Sequence, residues 1–116
     1  MRILVAFEHN YRAYRETIAA AIRVLRPGVE VETISLEVLR EHIERFAPHL
    51  VICSQSNTID AGSRLAWVEL SLDPLHPSKI CVGRRYSERT NPTLGMLLEV
   101  IDEVEELTQT LQRGSK

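Results

Sequence analysis

Two runs of apolar residues without alternation stand out along the chain: Arg2–Phe7 (RILVAF) and Leu50–Cys53, the latter inside Pro48–Asn57 (PHLVICSQSN). Such runs, bounded by polar or turn residues, predict strands buried on both faces, as in the interior of a parallel sheet. Val29–Ile34 (VEVETI) alternates instead, which predicts a strand with one wet face near a sheet edge. Leu65–Leu72 (LAWVELSL), with Trp67 as its large packing residue, and Lys79–Gly83 (KICVG) predict a fourth and a fifth strand. Between the first three strands the apolar period becomes helical. Tyr14, Ile18, Ala21, Ile22 and Leu25 form one stripe, with Asn10 as its N-cap and Pro27-Gly28 as its stop. Leu36, Leu39, Ile43 and Phe46 form a second, capped by Ser35. A last helix opens on Asn91-Pro92, an N-cap followed by proline, and carries Leu94, Leu97, Leu98, Ile101, Val104, Leu107 and Leu111.

The order β-α-β-α-β, with right-handed crossovers, places the first strand between the second and the third in a parallel sheet. The short loop around Asp73-Pro74 and His76-Pro77 leaves no room for a crossover helix. Strands four and five are therefore expected as an antiparallel hairpin, with the fifth at the edge. Residues 55–65 are too polar and too few for a full helix, and one turn around Ala61–Leu65 is the most they predict. Arg84–Arg89 reads as a charged loop. The expected fold is a three-layer α/β domain over residues 1–112, flavodoxin-like, with strand order 2-1-3-4-5 and a frayed tail over 113–116.

At 116 residues the chain has the length of one domain, and 44% hydrophobic with 26% charged residues is ordinary for a soluble globular protein. A net charge of −2 removes any general case for nucleic acid as a partner. Met1-Arg2 leads directly into a strand, not a signal peptide, and no apolar run is long enough for a membrane span, so a cytoplasmic location is expected. Cys53 and Cys81 both fall inside apolar strand patterns, which makes them core thiols. His42, His49 and His76 show no metal-ligand spacing, and Glu8–Arg12 contains no glycine for a phosphate-cradling loop. No metal and no cofactor are expected.

Because the first and third strands are predicted neighbours, Glu8, His9 and Asn10 should lie beside Ser54, Gln55 and Ser56. In open α/β sheets ligands gather at these carboxyl ends. The cluster fits a small polar pocket for a ligand or an anion, with the first helix supplying free amides and Arg84 closing over it. The same residue types also serve simply to cap strand and helix ends. Ser54 or Ser56 with His9 and Glu8 has the composition of a hydrolytic triad. However, adjacent residues such as Glu8 and His9 tend to point apart, and the Gly-x-Ser-x-Gly elbow is absent, so no enzymatic activity is expected. The last helix is acidic on its outer face, with Glu99, Asp102, Glu103, Glu105 and Glu106. That face is either merely solvated or a place where a protein partner or a second copy docks, steered by charge.

Arg2-Ile3-Leu4-Val5 followed by Glu8 and His9, and Phe46–Cys53 (FAPHLVIC), resemble the first and third strands of two-component response-regulator receiver domains. The resemblance covers roughly residues 2 to 54. It implies a flavodoxin-like fold, a part in signal transduction, an acidic pair that holds Mg²⁺ and an aspartate that accepts phosphate. Position by position, that aspartate falls on Ser54 and the acidic pair on Phe7 and Glu8, or Glu8 and His9. The family's lysine falls on Gly83 or Arg84, and its hydroxyl on Ser71. A single carboxylate is a poor Mg²⁺ anchor. The resemblance thus implies a non-catalytic, receiver-like regulatory or interaction module, working through a protein partner or a homodimer. A small-ligand or anion sensor is the alternative.

Overall fold

The computed structural model describes residues 1–57, 65–73, 75–83 and 85–114. Six strands form one mixed sheet: β1 (Arg2–Phe7), β2 (Glu30–Ser35), β3 (Leu50–Cys53), β4 (Ala66–Glu69), β5 (Ser78–Val82) and β6 (Arg85–Arg89). Their order is β2-β1-β3-β4-β5-β6. The first four strands are mutually parallel, and β5 and β6 are antiparallel to their neighbours. Residues 70–77 are too few for the crossover that a parallel strand needs, which is why β5 turns back on β4.

The sixth strand corrects the expected five-strand order. Arg85–Arg89 is not a loop, and β5 is not the edge. Gly83, at φ 59, makes the left-handed turn that folds β6 onto β5 with Val82 opposite Arg85.

Helix α1 (Arg12–Leu25) and helix α3 (Leu94–Gly114) lie on one face of the sheet, and α2 (Leu39–Phe46) lies on the other. Alternate residues of β1 serve the two layers. Ile3, Val5 and Phe7 join Ile18, Ile22, Val100 and Ile101, whereas Leu4 and Ala6 join Leu39, Val51, Cys53 and Trp67. Both faces of β1 and β3 are thus sealed, as their unalternating sequences require. No described helix is long and apolar enough to cross a membrane.

Four local expectations shift. A 3₁₀ turn, His9–Tyr11, comes before α1, so Asn10 lies inside that turn and does not cap the helix. The buried stripe of α1 becomes Arg15, Ile18, Ala19 and Ile22, while Tyr14 and Leu25 stay half exposed. Tyr14 instead meets Phe7 edge-on, with ring centroids 5.3 Å apart. At α3, Asn91 adopts φ 51 and turns the chain, and Thr93 caps the helix, its Oγ1 accepting the Met96 amide at 3.2 Å. β4 is also shorter than expected, because after the Leu70 amide bonds the Cys53 carbonyl the chain enters a turn at Ser71. The helical turn expected around Ala61–Leu65 lies mostly outside the described residues.

Candidate functional site

The register Ala6↔Cys53 sets the residues after β1 beside those after β3. Glu8 leaves the strand in extended conformation, and its carbonyl accepts the Tyr11 amide at 2.9 Å, closing the 3₁₀ turn. Glu8 is then the ridge between two clefts. One, of about 420 Å³, is lined by Glu8, His9, Asn10, Leu36, Glu37 and Gln55. The other, of about 610 Å³, takes in Glu8, Ser54, Glu69, Asp73, His76 and Lys79 among its walls. The predicted cluster is therefore split: Gln55 joins His9 and Asn10, whereas Ser54 faces the β4–β5 loop. Ser56 lines neither described cleft and donates its hydroxyl to Glu69 Oε1 at 2.7 Å. Arg84 lies outside the described residues, and Gly83 before it sits at the opposite end of the sheet, because β5 runs antiparallel.

The turn after β3 is fixed from beneath. The Gln55 carbonyl accepts Trp67 Nε1 at 2.7 Å and the Cys53 thiol at 3.2 Å. Burial pushes the Cys53 thiol up to about 12, so it stays protonated and acts as a core group. The β4–β5 loop is tied as closely. Asp73 accepts the Leu75 amide at 2.9 Å and pairs with His76 Nδ1 at 2.7 Å. The amide bond first, and His76 second, hold its carboxyl below the usual aspartate range. Ser71 donates to the Asp73 carbonyl at 2.8 Å, and the buried Ser78 hydroxyl accepts the Ser71 amide at 2.9 Å.

Sequence reasoning missed Glu37, Glu69, Asp73 and Lys79 at this end of the sheet. The signal was available for Lys79: a strand that turns back brings its first residues to the end where its predecessor finishes.

Charge decides what the clefts can hold. The first presents Glu8 and Glu37, and the second sets Glu8, Glu69 and Asp73 against His76 and Lys79. Carboxylates outnumber the fixed cations, which disfavours an anion. Receiver chemistry fails on its donors as well. Of the positions that the receiver resemblance would assign to an acidic pair, Phe7 is fully buried in the core, and the position it would assign to the phosphate acceptor holds Ser54. The donor set does not fit Mg²⁺, and no group of three or more potential metal ligands forms among the described residues. The hydroxyl of Ser71 is committed to a backbone carbonyl, so the Asp73–His76 pair does not activate it as a nucleophile.

The acidic helix is partly neutralised within the molecule. Arg26 grips Asp102 with two hydrogen bonds of 2.7 and 2.8 Å, joining the end of α1 to α3. That contact holds the Asp102 carboxyl below its usual range. Glu103 pairs with Arg85 and ties the β5–β6 hairpin to α3. Glu99 is exposed.

On the opposite face, α2 stands over the half of the sheet formed by β1 and β3. The cluster under α2 extends to the buried Trp67 of β4, and over β5 and β6 no described helix lies. There Cys81 pairs with Tyr86 and Lys79 with Glu88, and Tyr86 is 58% exposed. No family model, curated protein or solved structure matches this chain.

Proposed function

We propose that this chain is a receiver-like, flavodoxin-like regulatory or protein-interaction module that binds a partner and transfers no phosphate. The observation that carries the proposal is the exposed outer face of β5 and β6, over which no described helix lies. A sheet face of this kind is normally buried under a helix. Here Tyr86, Lys79 and Glu88 form an exposed aromatic and mixed-charge surface beside Trp67 and Cys81. Aromatic residues rimmed by charge are the composition of interaction surfaces. Glu99 extends a second such surface along α3, since Asp102 and Glu103 serve internal ion pairs.

A second reading, a small-ligand sensor, is favoured by the concave cleft between Glu8, Asn10, Leu36 and Gln55. With Glu8 and Glu37 in its wall, a cationic or hydrogen-bonding ligand suits it better than an anion.

One comparison separates the two. Tagged protein is used to capture a partner from cell extract, and capture is quantified for Tyr86→Lys, Glu99→Lys, Glu8→Gln and Ser54→Ala. The module reading expects Tyr86→Lys or Glu99→Lys to reduce capture at least about tenfold, on the scale of a lost interface anchor, with the other two unchanged. Capture lost only in Glu8→Gln and Ser54→Ala would overturn it in favour of the cleft.

A further inference from the structure

We propose that β6 is the pairing edge of a weak symmetric dimer of this chain, two β6 strands running antiparallel about Ser87 to join the sheets. The inference rests on the interaction reading and names its partner as a second copy.

Strand β6 is the last in the sheet, so among the described residues the side of its backbone away from β5 has no strand partner. Unpaired amides and carbonyls along an edge are a template for another strand. Two of the usual guards, a proline and a bulge, are missing, although three of the five residues are charged. Arg85–Arg89 contains no proline, and its pairing with β5 runs through five consecutive residue pairs without a bulge. β2, at the other edge, carries only acidic charge, from Glu30 and Glu32, whereas β6 carries both signs.

On the face away from α3, the sequence RYSER is complementary to itself when reversed about its centre. Ser87 then meets Ser87, and Tyr86 meets Glu88 of the second copy twice. The chemistry of that contact already exists within the strand, where the Tyr86 hydroxyl donates to Glu88 Oε2 at 2.6 Å. On the α3 face Arg85 meets Arg89 of the second copy, a like-charge pair that opposes association. Glu103, already paired with Arg85, offsets part of that cost. A ladder of five residues is about 17 Å long, short of a standard interface, so the dimer is a transient one.

The Arg85–Arg89 opposition makes the inference testable by a gain of affinity. Sedimentation equilibrium of the full chain, from about 10 μM to about 1 mM, is expected to show reversible dimerisation that tightens as salt is raised. Arg89→Glu places a carboxylate opposite Arg85 of the second copy at two places and should tighten the dimer about tenfold, with the salt dependence reversed. Glu88→Lys removes both Tyr86–Glu88 contacts and should weaken it by a similar factor. Circular dichroism checks that each variant keeps its fold, and a tightened dimer cannot arise from misfolding of the hairpin without a change in that spectrum.

Wild-type and Arg89→Glu protein that both stay monomeric throughout would overturn the inference, as would a dimer indifferent to both substitutions. The interaction reading fails separately. A monomer that still captures a partner through Tyr86 or Glu99 keeps that reading and loses only the second copy.

Discussion

His49 ties the first strand to the third at the end of the sheet away from the clefts. Its Nδ1 accepts the Arg2 amide at 3.0 Å, and its own amide bonds the Arg2 carbonyl at 2.8 Å. Accepting through Nδ1 requires that nitrogen to be unprotonated. Burial, then the positive charges of Arg2 and the amino terminus, push the imidazole below its ordinary 6.5. The unfolded chain therefore takes up this proton first as pH falls. His49 contributes stability in full above pH 6.5, and that contribution is lost as pH drops below 6.5 toward the lowered folded value. His49→Gln keeps an acceptor without the titration. Urea unfolding midpoints measured from about pH 7.5 down to about pH 5, a range that brackets the ordinary histidine value, should fall more steeply for the native chain than for this variant. Equal slopes would show that the acid sensitivity does not come from His49.

At the scale of elements, what the sequence disclosed follows what each segment buries. β1 and β3 were legible because both faces are covered, leaving no polar position to interrupt RILVAF or LVIC. β6 was not, because RYSER presents four of its five residues to solvent and is held by backbone pairing and by Arg85–Glu103. The site was half legible for the same reason. Glu8, His9 and Asn10 follow from one strand end, whereas Glu37, Glu69 and Lys79 arrive from elements whose direction only the fold supplies. Helix caps were misplaced by two residues at α3, where Asn91-Pro92 looks like a start. Since Thr93 holds the Met96 amide, Thr93→Ala should cost about 1 kcal/mol. Asn91 sits at φ 51, a conformation glycine adopts freely, so Asn91→Gly should cost less than about half of that. Chemical denaturation of the two variants side by side checks this, and the reverse ranking would return the cap to Asn91.

Across the whole molecule, protection against opening should be graded from the centre of the sheet to β6. β1 is paired on both sides and covered on both faces, and β3 shares that position. Their amides can exchange with solvent only when the three layers separate, which is global unfolding. β6 is different. It has one neighbour, and its residues are exposed or nearly so. Its tether to the body is Arg85 on Glu103, so the hairpin can open without disturbing the core. Hydrogen exchange on dilute protein should therefore show Val5 and Ile52 among the slowest amides and the whole of Arg85–Arg89 among the fastest of any strand. The same measurement at high concentration tests the outer edge. If two β6 strands pair, alternate amides of that strand gain protection as concentration rises, while Val5 and Ile52 do not change. Concentration-independent exchange in β6 would leave the edge open to solvent and confine partner binding to the faces of the sheet and α3.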